Sequence, residues 1–117
     1  MGISTHVLDT ARGSPARGVR ITLERAHKND DGTDGWQLVG EAETDIDGRA
    51  KSLVPADVAL TPNSYRLRFD THGYARKNHV ECFFPEVTIV FDMKDSSQHY
   101  HVPLLLSPFG YSTYRGS

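Results

Sequence analysis

Apolar and polar positions alternate with a period of two in several short stretches of the chain, the spacing of strands with one buried face. VRITLER, from Val19 to Arg25, sets Val19, Ile21 and Leu23 against Arg20, Thr22 and Glu24. SYRLRFD, from Ser64 to Asp70, sets Tyr65, Leu67 and Phe69 against Arg66 and Arg68. VTIVFDM, from Val87 to Met93, is apolar enough to be partly covered on both faces. Trp36 to Thr44 and Tyr100 to Leu106 are further predicted strands, and Ser4 to Leu8 and Phe109 to Thr113 are shorter ones. GSPARG, NDDGTDG, DIDG, TPNS and SPFG punctuate them as turns. The one predicted helix is Thr71 to His79, a short piece weakened by Gly73 and placed as a crossover between the Ser64 and Val87 strands. Short strands separated by turn signals predict an all-β, antiparallel sandwich or barrel.

Length and composition narrow this picture. The 117 residues suit one domain, 1–117, and are too few for two ordinary ones. Hydrophobic residues make up 38%, a lean core that burial in an oligomer would help. A formal net charge of -2 leaves no electrostatic footprint for nucleic acid and no basic patch for an anionic membrane. No apolar run approaches a membrane span, and MGISTHVLDT has neither the basic nor the apolar region of a secretory signal. The cytoplasm is therefore the expected location. The single cysteine, Cys82, excludes an intrachain disulfide, and beside Phe83 and Phe84 it reads as a small buried hydrophobe.

Candidate chemistry lies in the histidines. There are six, and His27, His72 and His79 fall in loops or the short helix, where a solvated surface ring is expected. His6 sits in STHVLD, while His99 and His101 alternate in QHYHVPLLL and share one strand face. The His-x-His pair admits a metal site, which needs a third ligand that His6 alone would supply. It equally admits acid–base chemistry near neutral pH, or two hydrogen-bonded rings in an interface. Asp45-Ile46-Asp47-Gly48 resembles the start of a calcium loop but lacks an acidic position and the closing glutamate; it is a strong turn signal between Thr44 and Arg49. Finally, the terminal YSTYRGS is too aromatic and basic for a frayed end, which implies that it is held.

Three blocks carry a family resemblance: STHVLD with the following GSPARGV, TDIDGR from Thr44 to Arg49, and YHVPLLLSPFGYSTYRGS from Tyr100 to Ser117. The chain resembles the 5-hydroxyisourate hydrolases, the transthyretin-related enzymes of purine breakdown, and the closing YRGS is that family's hallmark. The resemblance implies a transthyretin-like β-sandwich of about eight strands with one short helix. It also implies a homotetramer in which two dimers enclose a channel with active sites at its mouths.

The family's motif histidines fall on His6 and His101, its arginine on Arg49 and its tail on Tyr114, Arg115, Gly116 and Ser117. His99 precedes the motif and is treated as peripheral, and Ile46 stands where the family's turn is usually small. The implied reaction is hydrolytic ring opening of 5-hydroxyisourate in urate degradation, with no cofactor and no metal. His6 or His101 would activate water, Arg49 would hold the developing oxyanion, and Ser117 would bind substrate or water. His6, Arg49 and the four tail residues would make up the substrate site, with Tyr114 as the tail's apolar anchor. The alternative from another class is a transthyretin-like carrier that binds a small hydrophobic ligand in the channel, since one fold hosts both activities.

Overall fold

The computed structural model describes residues 2–117. Ten strand segments and one helix follow in order: β1 Gly2–Ser4, β2 Val7–Asp9, β3 Ser14–Pro15, β4 Arg20–Lys28, β5 Asp34–Glu43, β6 Asn63–Phe69, α1 Thr71–Lys77, β7 Val87–Met93, β8 His99–His101, β9 Leu104–Ser107 and β10 Gly110–Thr113. One sheet has the order β5-β4-β6-β7 and is antiparallel throughout. A second has the order β10-β9-β2-β3, and β1 pairs with β8 beside it. Val7, Leu104 and Leu106 from the second sheet join Ile21, Leu23, Tyr65, Leu67, Phe69, Val87 and Met93 from the first in one buried cluster. This is the transthyretin-like sandwich, its inner faces built from the alternate apolar positions of each strand.

Two predicted strands are each broken in the middle. Ser4 to Leu8 becomes β1 and β2, and Tyr100 to Leu106 becomes β8 and β9. The break falls at Pro103, which has no N–H to give to a ladder. Pairing nevertheless keeps one register across it, with Ser4 opposite His101 and Val7 opposite Leu104. The amides of Val102 and Leu104 donate to the carbonyls of Ser4 and His6, each at 2.9 Å. Counted as continuous, the ten segments make the expected eight.

These two strands run parallel, so the sandwich is not antiparallel throughout as expected. A tight hairpin forces antiparallel pairing, but here the partners lie almost a whole chain apart and the long connection allows either direction. A second departure concerns β7, whose Val90 is 57% exposed, against the expectation of cover on both faces. β7 is an edge strand, and within one chain its outer face meets only solvent.

The helix ends at Lys77, two residues earlier than predicted. Asp70 caps it by accepting from the Gly73 amide at 2.9 Å, and His79 follows with φ 55°, outside helical space. Among the described residues every buried side-chain nitrogen and oxygen has a hydrogen-bond partner. Thr5 Oγ1 donates to the Val102 carbonyl, Thr44 Oγ1 to the Ala16 carbonyl, and Tyr74 Oη to the Asp9 carboxylate. Among the described residues no helix is long and apolar enough to cross a membrane.

Candidate active site

The site is assembled across the paired N- and C-terminal strands. From Gly2 to Asp9 burial alternates: Ile3, Thr5, Val7 and Asp9 point inward, while Ser4 and His6 lie on the partly open face. Register places Gly2 opposite His99 and Ser4 opposite His101, so both histidines of the His-x-His pair share that open face with Ser4 and His6.

Two flanking segments widen the platform. On one side, His6 pairs with Arg49, and on the other His101 pairs with Gly116. Arg49, His6, His101 and the tail therefore occupy successive backbone tracks. Chain neighbours could not have done this, because the four segments are distant in sequence.

The turn that delivers Arg49 is specified locally. The Gly48 amide donates to the Asp45 carbonyl at 2.9 Å, and the Asp45 carboxylate accepts from the amides of Asp47 and Arg49. Gly48 adopts φ 77°, and a Cβ there would stand 2.4 Å from the Val7 carbonyl oxygen, so the turn packs against β2 only with glycine. Ile46 is 69% exposed at the tip and touches none of this chemistry. The strong turn expected from Asp45 to Gly48 is present. Among the described residues no group of three or more His, Cys, Asp or Glu side chains is placed to hold a metal ion.

Hydrogen bonds fix the rings. His6 Nε2 lies 2.7 Å from the Asp47 carbonyl oxygen. A carbonyl only accepts, so this nitrogen carries the proton. Ser4 Oγ lies 2.7 Å from His101 Nδ1 and 2.7 Å from His99 Nε2. His101 is half-buried, and that burial holds its pKa below the ordinary 6.5, helped by the charges of Arg49, His6 and His99; a hydrogen bond to the Ser4 backbone opposes the shift. The ring is thus neutral at pH 7, with Nδ1 engaged by Ser4.

The tail is held, but not by the residue expected. The Gly116 amide donates to the His101 carbonyl at 2.8 Å. A Cβ on Gly116 would stand 2.5 Å from His101 Cδ2, so the glycine backbone lies directly against the imidazole. Arg115 stacks its guanidinium 4.6 Å from the centre of the Tyr100 ring and donates to Gln98 Oε1 at 3.0 Å. These contacts clamp the tail against β8 and the residue before it.

Tyr114 is 59% exposed, so within one chain it is not the apolar anchor expected. It borders a separate groove with Ile89, Phe91 and Val102. Ser117 is exposed, one residue beyond the His101–Gly116 pairing.

An open cleft of about 540 Å³ adjoins the platform, lined by Ser4, Arg49, Lys51, Ser52, Leu53 and His99 among others. Of the residues singled out from sequence, His6, Arg49, His101 and Gly116 are brought together. Ser4 was missed and His99 was set aside as peripheral. The period-two spacing of Ser4 with His6 was the available signal, but only the register shows that it meets both rings of His-x-His.

The comparisons agree with this architecture. The family model described as the HIUase/Transthyretin family matches residues 3–116. The chain is 50% identical over 115 residues to a Caenorhabditis elegans protein named "Probable 5-hydroxyisourate hydrolase", covering 98% of this chain and 81% of that one. It superposes on the structure of Klebsiella pneumoniae 5-hydroxyisourate hydrolase with a TM-score of 0.79 and 31% identity, covering 98% of each chain. It also superposes on sea bream transthyretin in complex with thyroxine, with a TM-score of 0.85 and 30% identity, covering 97% of this chain and 93% of that one. The paired histidine strands and the held tail thus sit in a frame shared with these relatives, and the chain belongs to the HIUase/transthyretin family.

Proposed function

We infer that this protein hydrolyses 5-hydroxyisourate in urate degradation, adding water to a ring carbonyl and opening the adjacent carbon–nitrogen bond. The observation that carries the reading is the convergence of His6, Arg49, His101 and Gly116 on one open sheet face beside a cleft. A carrier for a hydrophobic ligand has no use for two imidazoles and a guanidinium there, whereas a hydrolase needs a base, an oxyanion partner and a proton donor. The name of the 50% identical relative supports the same activity.

His101 acts as the general base. It is neutral at pH 7, and with Nδ1 bonded to Ser4 its Nε2 is the nitrogen left for water. His6, its Nε2–H directed to the Asp47 carbonyl, orients water or substrate through the remaining edge of its ring. Arg49 supplies a permanent charge and a planar set of donors for the carbonyl oxygen as it becomes an oxyanion. Ser117, just past the pairing at Gly116, hydrogen-bonds substrate or water, and Tyr114 meets substrate only from across a subunit contact. The enzyme works in the cytoplasm, without cofactor or metal, as a homotetramer built from two dimers.

The test follows the ultraviolet decay of freshly made 5-hydroxyisourate with and without the protein, counting only the excess over spontaneous decay. The parent is expected to accelerate decay, and His101→Ala and His6→Ala to lose about 10²–10⁴ in turnover while melting within a few degrees of the parent. Parent-like turnover in both variants would remove the acid–base assignment. No acceleration by the parent, together with tight thyroxine binding, would favour the carrier.

A further inference from the structure

A serine hydroxyl that touches two imidazoles has a constraint built into it. Ser4 Oγ lies 2.7 Å from both His99 Nε2 and His101 Nδ1. The hydroxyl owns one proton, so it can donate to only one ring; the other ring must donate to it. Where the hydroxyl proton itself goes to a ring, two wirings satisfy both bonds with neutral rings. In the first, His101 Nδ1–H donates to Ser4 and Ser4 donates to His99 Nε2, which leaves His101 Nε2 with a free lone pair, ready as a base. In the second, His99 Nε2–H donates to Ser4 and Ser4 donates to His101 Nδ1, which leaves His101 with its proton on Nε2, ready as an acid.

His99 is exposed, while His101 is half-buried. The chain of two bonds therefore runs from the reacting face to solvent. We propose that Ser4 and His99 form a proton relay that connects His101 to bulk water and sets which nitrogen of His101 carries a proton. The proposal rests on His101 as the base of the hydrolysis and extends it.

The proton count closes. Attacking water gives its first proton to His101 Nε2. His101 Nδ1–H passes to Ser4 Oγ as the Ser4 hydroxyl proton passes to His99 Nε2, and His99 Nδ1–H goes to solvent. The wiring is now the second. The carbon–nitrogen bond then breaks and its electron pair takes the proton from His101 Nε2. Ser4 returns a proton to His101 Nδ1, His99 Nε2–H refills Ser4, and His99 Nδ1 takes a proton from solvent, which restores the first wiring. The acid formed at the carbonyl ionises at neutral pH, because carboxyl groups titrate near pH 4. Two protons leave water, one ends on nitrogen, and one net proton is released. Arg49 and His6, with His99 itself, are the charged and titratable groups that bear on His101, and all of them disfavour a positive charge on the ring. A route that removes that charge is what the site needs.

The experiment replaces His99 by glutamine, whose amide can donate to Ser4 as Nε2–H does but cannot pass a proton on. His99→Gln is expected to lower kcat about tenfold in dilute buffer, a modest share of the effect of an acid–base group, with KM unchanged. Imidazole in the buffer is expected to restore kcat, since it accepts the proton that His99 would have carried. Ser4→Ala should lose kcat without imidazole rescue, and Ser4→Thr, which keeps the hydroxyl, should retain most of it. Nitrogen-15 spectra of the rings supply a readout independent of turnover: the tautomers of His99 and His101 should change together in the parent and separately in Ser4→Ala. If His101→Ala is inactive while His99→Gln keeps parent kcat in dilute buffer and ignores imidazole, the relay is wrong and the base assignment stands. If His101→Ala keeps its turnover, the base assignment fails and the relay falls with it.

Discussion

At the residue scale, the proposed chemistry turns on the charge state of His101. Its pKa lies below the ordinary 6.5, through burial first and the neighbouring Arg49, His6 and His99 charges next. A base that protonates less readily when folded stays competent as pH falls past 6.5, so kcat/KM is expected to remain flat from neutral pH down to that value and to fall only below it. A pH–rate profile checks this, and an acid limb centred at or above pH 6.5 would contradict the neutral, half-buried ring. The sign for stability follows from the same shift. The unfolded chain binds this proton at higher pH than the folded one, so stability attached to His101 is full above 6.5 and declines as pH drops below it. His6 was legible in sequence as a histidine inside a strand, and so was His101. Ser4 was not, because a serine is common in strands and turns alike and gains meaning only from the two ring nitrogens it faces.

At the element scale, the tail is a strand-like partner of β8 and not a loose end. Gly116 does not adopt a left-handed φ, so its backbone would accept alanine. What would not accept it is the imidazole, 2.5 Å from the added carbon. Gly116→Ala is therefore expected to push the His101 ring out of place and to cost about 100-fold in turnover, the scale on which small misplacements act, while the melting temperature moves little because the site is at the surface. Thermal melting beside the decay assay checks the pair of outcomes, and unchanged turnover would mean that the ring position is not held by the tail. Sequence composition showed that the end was too aromatic and basic to be idle. It could not show that Arg115, not Tyr114, does the holding, since that depends on Tyr100 offering its ring to the guanidinium.

At the scale of the whole molecule, one chain leaves large apolar side chains in water. Phe83 and Phe109 are each 67% exposed, and Val90, Tyr111 and Tyr114 join them. Scattered apolar residues are ordinary on a surface, but here Val90 lies on the edge strand β7, Tyr111 on the edge strand β10 and Tyr114 in the tail, while Phe83 and Phe109 stand in the loops that lead into β7 and β10. Assembly through those edges would bury them and remove the unpaired strand edges as well. The expected outcome by sedimentation equilibrium is a species of four times the 13.0 kDa chain mass, and a monomer at micromolar concentration would contradict the tetramer and with it any part for Tyr114 at the site.

Alternation by itself determined the strands from Val19 and Ser64, because the period of two is dictated by the pleat and needs no partner to be visible; apolar and strand-favouring residues between turn signals marked those from Trp36 and Val87. Local chemistry likewise determined the turn at Asp45 to Gly48, where one carboxylate and one glycine suffice. The parallel pairing of the first and last strands, the placing of Arg49 beside His6, and the meeting of Ser4 with two imidazoles were decided only in three dimensions. Each joins segments that the chain keeps far apart, and no local preference reports on a partner it has yet to meet. The break at Pro103 shows the two levels together: the missing amide is written in the sequence, but the ladder that continues in register past it exists only once β1 and β2 have found β8 and β9.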